Sequence, residues 1–128
     1  MVAKKRESVE EPLPLPQEVA EALERCGGIM GLTGSLPRDE ALERESALYR
    51  ALADPIRLKI LVMLAIQPLC VCVIRVVLGI SDSKLSYHLG VLKRAGLIAG
   101  EAQGNWIIYS LTEMGRRVLG RRIDLGEG

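Results

Sequence analysis

The stretch GISDSKLSYHLGVLKRAG, residues 79–96, decides the fold. Leucines recur in it at intervals of four and three residues, which predicts an amphipathic helix with one buried stripe. Ser81 or Asp82 is the expected N-cap, because a side-chain oxygen there accepts hydrogen bonds from free backbone N–H groups. Gly96 is the expected end of the helix. The apolar stripe consists of Leu85, Leu89 and Leu92.

Two further helices are predicted before this one. Asp54 followed by Pro55 indicates a helix start, because the carboxylate caps free N–H groups and proline fits the first helical position. A second helix is predicted from Pro68 to Leu78, and Gly79 ends it. The apolar face of the first of these two helices comprises Ile56, Ile60, Leu61 and Leu64.

A hairpin and a last helix are predicted after Gly96. Two strand-like runs, residues 97–102 and 105–111, are joined at the glycine of QGN, as in a tight hairpin turn. Thr112 is the expected N-cap of a helix over residues 113–122. A helix, a glycine turn, a second helix and a hairpin in this order predict a winged helix-turn-helix, a mainly α fold with a small β-hairpin.

The first part of the chain has a less regular pattern. Residues 1–16 are charged and then proline-spaced, which predicts an extended arm. Residues 17–26 read as a short helix, residues 27–37 as a loop and residues 38–53 as a longer helix. The predicted domains are an N-terminal arm with a short helix and loop (1–37), the winged helix-turn-helix domain (38–122) and a flexible tail (123–128).

The face of residues 79–96 opposite the leucine stripe is small, hydroxylated and basic, and the surrounding residues 57–122 carry a net charge of +7. Such a face suits the DNA major groove, where recognition helices contact bases with their N-terminal residues. Ser83, Lys84 and Tyr87 are the first candidates, and an ordinary solvated surface is the alternative. The candidate DNA-binding residues are Ser83, Lys84, Ser86, Tyr87, His88, Lys93 and Arg94.

His88 is the only histidine of the chain. It lies beside Leu85 and Leu92 on the helical wheel, so it either donates to a phosphate or packs at the edge of the stripe. A role as metal ligand is disfavoured, because no second histidine or carboxylate stands at ligand spacing. The sequence also lacks a Ser/His/Asp set, paired carboxylates and a phosphate-binding loop, so it does not predict an enzyme.

Three cysteines, two of them in a C-x-C, do not form a disulfide framework, which predicts reduced thiols and a cytoplasmic setting. No signal peptide is visible. The apolar run from Ile60 to Ile80 is interrupted by Gln67, Pro68 and Arg75, so we expect core helices rather than a membrane span.

Cys70 and Cys72 form the C-x-C at the start of the helix predicted from Pro68. Thiolates select thiophilic ions, and a helix N-terminus favours the thiolate. Residues i and i+2 of a regular helix diverge by about 200°, so shared binding would require the first turn to unwind. The alternative is that both are small core residues. Cys26 would either supply a third sulfur or pack on its own helix.

The motifs LADPIRLKIL, PLCVCVI, LGISDSKLSYHLGVLKRAGLI and QGNWIIYSLTEMG follow in an order that resembles the ArsR/SmtB family of metal-responsive repressors. The resemblance covers about Leu48 to Leu119. It implies a winged-helix homodimer that binds double-stranded operator DNA and releases it when a metal or metalloid binds. It also implies a dimer formed by the helices over residues 38–53 and 113–122, so that residues 38–122 serve both DNA binding and dimerisation.

Within that resemblance, PLCVCVI is similar to the C-x-C motif of arsenic-sensing members. Cys70 and Cys72 would then be the metal ligands, Cys26 a possible third, and As(III) or Sb(III) the effector. The acidic residue that follows the second cysteine in those members is Val73 here. This departure argues against a hard metal ion and leaves a thiolate site for a metalloid intact.

The hairpin departs from the family in a second way, because its tip, GEAQGNW, carries Glu101 and no Lys or Arg. Trp106 and Tyr109 are expected to pack on the hairpin. Because the tip has no basic residue, phosphate binding would rest on Arg57, Lys59, Lys84, Lys93 and Arg94.

Two other functions stay open at this point. One is a DNA-binding regulator with no metal effector, and the other is a protein-interaction module on the same scaffold.

Overall fold

A computed structural model describes residues 13–120, which divide into two compact units, one up to Leu42 and one from Glu43 onward. The predicted 37/38 domain boundary stays a prediction, and residues 1–12 of the predicted arm, the end of the last predicted helix and the tail lie outside the described residues. The elements in chain order are α1 (Gln17–Arg25), α2 (Gly28–Gly34), α3 (Asp39–Leu52), α4 (Pro55–Ile66), β1 (Leu69–Cys70), α5 (Val71–Leu78), α6 (Asp82–Arg94), β2 (Ile98–Gln103), β3 (Trp106–Leu111) and α7 (Glu113–Leu119).

Side-chain caps begin three of these helices where the sequence predicts them. The Asp54 carboxylate accepts hydrogen bonds from the backbone N–H groups of Ile56 at 2.8 Å and Arg57 at 3.2 Å, and Pro55 takes the first position of α4. Ser81, rather than Asp82, caps α6 by accepting from a backbone N–H. Thr112 caps α7 in the same way. Each cap contributes about 0.5–2 kcal/mol to stability.

Helix α6 also ends where the sequence predicts, just before Gly96. Gly96 has a φ of 79°, a left-handed conformation that glycine adopts without steric cost. Its N–H donates to the Lys93 carbonyl at 2.9 Å, and the N–H of Leu97 donates to the Leu92 carbonyl at 3.0 Å. This paired Schellman arrangement satisfies the last free carbonyls of the helix and directs the chain into β2.

The sheet has three antiparallel strands in the order β1-β3-β2, one more than the predicted hairpin. Leu69 pairs with Tyr109 and Cys70 pairs with Ile108. The predicted start of a helix at Pro68 is therefore wrong, because α5 begins at Val71. Pairing with a strand so far along the chain holds Leu69 and Cys70 extended, and no local pattern reveals it.

The core of the second unit is almost entirely aliphatic. The leucine stripe of α6 is buried, as predicted, and it packs with the apolar faces of α4 and α5. Truncating a side chain of this kind to alanine costs about 2–5 kcal/mol. The most completely buried large side chains are Ile60, Leu61, Ile74, Leu85, Leu92 and Leu97.

The first unit contains one helix more than predicted. Residues 27–37 were expected to form a loop because of their glycines, yet α2 occupies Gly28–Gly34. Half-buried Ile29 of α2 and Leu23 of α1 line one apolar cleft, so packing between the helices outweighs the low helix propensity of glycine. Gly31 permits the close approach, since a Cβ there would meet the carbonyl oxygen of Cys26.

Candidate functional site

One exposed line of side chains runs along α6, opposite its buried stripe. At about 100° per residue, Ser83, Tyr87, Gly90 and Arg94 fall within about 60° of one another. Ser83, Tyr87 and Arg94 are all exposed, Tyr87 by 61%. Gly90 leaves room for the Arg94 guanidinium, because a Cβ there would stand 3.2 Å from Arg94 Nη1. The line presents two hydroxyl groups and one guanidinium, which are groups that hydrogen-bond base edges and phosphates.

The remaining exposed candidates on α6 flank this line. Lys84 lies on one side of it. Ser86 and Lys93 lie on the other, where they line a cleft of about 380 Å³ between α6 and the hairpin. The Lys93 ammonium stands 5.9 Å from the centre of the Tyr109 ring, within the range of a cation–π interaction. Tyr109 is buried, as predicted for a packing residue.

His88 is buried, with 5% of its surface exposed, so it lies apart from the exposed DNA-facing candidates. Arg57 Nη1 stands 3.0 Å from His88 Nδ1. Arginine only donates, so Nδ1 accepts and the neutral ring carries its proton on Nε2. Burial lowers the pKa of His88, and the charges of Arg57 and Lys84 lower it further against the opposing charge of Asp54. Of the two predicted roles, packing at the stripe fits this position and phosphate contact does not.

Arg57 is also an internal residue, although the sequence suggested a phosphate contact. Its Nε donates to the Ala51 carbonyl at 2.7 Å and its Nη2 to the Arg50 carbonyl at 3.1 Å. The guanidinium thus caps the C-terminal end of α3 and joins that end to α6 through His88. A signal for this role is present in the sequence, because position 57 lies on the same helical stripe as Ile60 and Leu64.

The two thiols of the C-x-C lie side by side. Cys70 is the N-cap of α5 with extended backbone, φ −78° and ψ 159°, and Cys72 is in the first turn. Their Sγ atoms are 2.7 Å apart. Because Cys70 stands before the helix, the expected unwinding of the first turn is unnecessary for both sulfurs to face one ion. Cys70 is half-buried and Cys72 exposed, so neither is a fully buried core residue.

Hydrogen bonding shifts the pKa values of the two thiols in opposite directions. The thiol of Cys72 and the backbone N–H of Val73 lower the pKa of Cys70. The same hydrogen bond to Cys70 raises the pKa of Cys72. A lowered pKa favours the thiolate of Cys70, and the thiolate is the form that binds metals and metalloids.

A cleft of about 360 Å³ opens beside the thiols. The end of the hairpin supplies one side of it, including Trp106, which is 58% exposed rather than packed as the sequence suggested. Across the cleft, Arg75 Nε of α5 stands 3.1 Å from Asp82 Oδ1 of α6. The lining residues are Cys70, Val71, Cys72, Arg75, Asp82, Asn105, Trp106 and Ile107.

Cys26, the suggested third sulfur, lies in the first unit. It is exposed, and its Sγ stands 3.2 Å from the Leu23 carbonyl oxygen of its own helix. Within residues 13–120, no group of three or more His, Cys, Asp or Glu is placed to hold a metal ion. The thiols that the second unit brings together are those of Cys70 and Cys72. The role of Cys26, in the first unit, stays a prediction.

The wing is the hairpin of β2 and β3, which pair along their whole lengths from Ile98 with Leu111 to Gln103 with Trp106. The turn is formed by Gly104, with a φ of 62°, and Asn105. Glu101 is exposed on β2. Among the helices of residues 13–120, none combines the length and hydrophobicity needed to cross a bilayer.

Comparison with known proteins gives a consistent result. A family model described as bacterial regulatory protein, arsR family, matches residues 54–99. The chain is 38% identical over 77 residues to the arsenical resistance operon repressor of Bacillus subtilis, covering 59% of this chain and 73% of that one. It is 30% identical over 112 residues to the transcriptional repressor SmtB homolog of Synechocystis, covering 88% and 83%.

The solved structures agree with these sequence matches. The homodimeric winged helix-turn-helix DNA-binding domain of a possible ArsR-family transcriptional regulator from Mycobacterium bovis matches with a TM-score of 0.61. That match has 27% identity and covers 67% of this chain and 83% of that chain. The winged helix predicted from the sequence is confirmed.

Proposed function

This chain belongs to the ArsR family of transcriptional repressors, and we propose that trivalent arsenic or antimony, bound by Cys70 and Cys72, releases it from its operator DNA. The observation that carries the proposal is the 2.7 Å separation of two accessible thiols. Soft thiolates select thiophilic ions over hard ones. We also propose a cytoplasmic location, because free thiols persist in a reducing compartment and the proposed DNA target lies there.

We assign operator binding to the exposed line of α6. Ser83 and Tyr87 stand nearest the helix N-terminus, where recognition helices contact base edges. Lys84, Lys93 and Arg94 supply charge for the phosphates, and Lys59 of α4 adds to them from its exposed position. His88 and Arg57 are left out of this surface, because both are buried and hydrogen-bonded to each other.

We propose that the working form is a homodimer joined through α3 and α7. Tyr49 of α3 is 60% exposed and Met114 of α7 is 41% exposed, although both are large apolar side chains. Half-buried Leu52 and Val118 lie on the same two helices. Burying such side chains against a second copy is favourable by about 25 cal/mol per Å². The Mycobacterium bovis structure shows that a protein of this fold is homodimeric.

In this proposal, helix α5 couples the effector site to the DNA-binding helix α6. The thiols stand at the start of α5, and the Arg75–Asp82 ion pair joins α5 to the first turn of α6. A ligand shifts an equilibrium only when it binds one conformation better than the other. Metalloid binding that changes the position of α5 relative to α6 would therefore disfavour the conformation that fits DNA.

The test measures DNA release by purified, reduced protein. Fluorescence anisotropy of labelled DNA from the upstream region of its own gene follows a titration with arsenite. We expect release in the wild type and in Cys26→Ser, and retention in Cys70→Ser/Cys72→Ser. The Cys26 variant is the matched control for loss of an exposed thiol.

Three other outcomes contradict parts of the proposal. DNA binding that ignores arsenite, antimonite, cadmium and zinc alike identifies a regulator without a metal effector. Absence of DNA binding even at low salt, where phosphate contacts are strongest, identifies a protein-interaction module instead. Loss of release in Cys26→Ser would show that the third sulfur belongs to the site.

A further inference from the structure

We propose that the cleft beside Cys70 and Cys72 selects a trivalent arsenical carrying one apolar, aromatic substituent in preference to inorganic arsenite. The inference rests on the thiol site of the proposed function and names the class of ligand that this site takes. Two features carry it, the number of sulfur donors and the chemistry of the adjacent cleft.

The number of donors leaves one valence of arsenic free. Arsenic(III) forms three bonds, and the described residues of the second unit contain two cysteines, whose thiols lie side by side. An arsenical R–As(OH)₂ reacts with the two thiols to form R–As(S–Cys)₂ and two water molecules. Two As–O bonds break, two As–S bonds form, the thiol protons leave in the water, and arsenic stays trivalent. The As–C bond fills the third position without a third sulfur.

With inorganic arsenite, the same reaction leaves a hydroxyl group on arsenic. That hydroxyl would face a cleft with apolar walls at Val71, Trp106 and Ile107. Its other walls are polar and consist of Arg75, Asp82 and Asn105. A hydroxyl gains nothing from the apolar walls, whereas an aryl group packed against them removes apolar surface from water. The third substituent therefore determines which arsenical the cleft favours.

The geometry of the sheet places an aromatic wall within reach of the sulfurs. Cys70 pairs with Ile108, and Trp106 stands two residues before Ile108 on the same strand, so their side chains share a face. Diagonal neighbours of this kind are about 7–8 Å apart, a distance that aromatic side chains span. The cleft volume, about 360 Å³, is in the range of small-ligand sites.

Packing within the second unit does not explain why a tryptophan stands at position 106. More than half of the side chain is exposed, at the edge of a unit whose other apolar side chains form an aliphatic core. An aromatic substituent on arsenic would stack or pack edge-to-face against the indole, and such aromatic pairs contribute beyond the area that they bury. We therefore assign Trp106 as the specificity-determining residue of the thiol site.

The experiment compares two probes by calorimetric titration of the reduced full chain, phenylarsine oxide and sodium arsenite. The measured quantity is the ratio of the two affinities, with dithiothreitol as the reference dithiol that has no cleft. We expect the wild-type ratio to exceed the dithiothreitol ratio and to fall about tenfold in Trp106→Ala. Trp106→Phe should retain most of the preference, because it keeps an aromatic wall.

Controls separate this inference from the thiol site itself. Tyr87→Ala removes an equally exposed aromatic ring that does not line the cleft, and it should leave the ratio unchanged. Unchanged arsenite affinity in Trp106→Ala shows that the thiol site is intact. A ratio that is the same in Trp106→Ala and wild type overturns the cleft preference alone. Failure of both probes to bind the wild type overturns the thiol site and the inference together.

Discussion

At the scale of single residues, Arg57 and His88 show what a sequence pattern conceals. The sequence offered both polar residues as candidate DNA contacts, and both are buried against each other. Position 57 lies on the helical stripe of Ile60 and Leu64, which is a signal of burial, but the charge of Arg57 led to the prediction of an exposed phosphate contact. A buried guanidinium requires acceptors, and two carbonyls at the end of α3 together with an imidazole nitrogen supply them.

The first prediction concerns pH. Burial holds the pKa of His88 below its ordinary value of 6.5 in the folded protein. The unfolded chain therefore takes up the proton first, so stability from this residue is complete above about pH 6.5 and decreases as the pH falls below it. We expect the melting temperature to fall between about pH 7.5 and pH 5.5 more in wild type than in His88→Asn, which keeps an acceptor and cannot titrate.

A second substitution tests the same contact at neutral pH. His88→Leu leaves an Arg57 N–H without its acceptor and should cost about 1–3 kcal/mol in urea unfolding. Equal stability of the leucine and asparagine variants would show that the acceptor role of His88 is unimportant. Parallel pH profiles for wild type and His88→Asn would remove His88 as the titrating group.

At the scale of elements, the sequence predicts the features that depend on local contacts and misses those that depend on distant ones. Asp54, Ser81, Thr112 and Gly96 set helix ends through contacts within a few residues, so the sequence predicts those ends well. Strand β1 forms only by pairing with β3, and this pairing holds Cys70 in extended backbone before the helix. The thiols were thus predictable as a pair, but their side-by-side geometry was not.

The third prediction concerns the ion pair between α5 and α6. Arg75 and Asp82 are both substantially exposed, so their attraction should add only about 0–1 kcal/mol to stability. Its expected importance is geometric, because it connects α5, which carries Cys72, to α6, which we propose as the DNA-binding helix. We expect Asp82→Asn to keep arsenite binding and folding while reducing the loss of DNA affinity that arsenite causes.

The control for that variant is Glu113→Gln, which removes a carboxylate from the first turn of α7. Anisotropy titrations with and without arsenite give the ratio of DNA affinities for each protein. An arsenite effect in Asp82→Asn equal to that in Glu113→Gln would mean that the ion pair does not transmit the signal.

At the scale of the whole molecule, the described monomer leaves large apolar side chains exposed on α3 and α7. The family resemblance predicted a dimer through these helices, and the exposure of Tyr49 and Met114 supports that proposal. Single-sequence patterns predicted the fold class and the order of the helices and the hairpin in the second unit, but they missed β1. They missed α2, whose helix depends on packing against α1 rather than on its own glycine-rich sequence.

The fourth prediction tests the dimer surface. Tyr49→Glu should weaken self-association, because it introduces a charge where apolar contact is proposed. Tyr87→Glu is the matched control, since Tyr87 is 61% exposed against 60% for Tyr49 and lies on the exposed line of α6. Sedimentation velocity without DNA should show a larger monomer fraction only for the Tyr49 variant. Equal dimer fractions in both would place the subunit contact elsewhere.

Trp106 has one further consequence, which follows from its being the only tryptophan of the chain. Excitation that selects indole over tyrosine reports on a single position, and that position borders the thiol cleft. A heavy atom bound there, or a change in the water around the ring, alters the emission of the native protein. Under the proposed thiol site, indole emission would therefore report the loading of a metalloid in the unlabelled chain, with or without DNA.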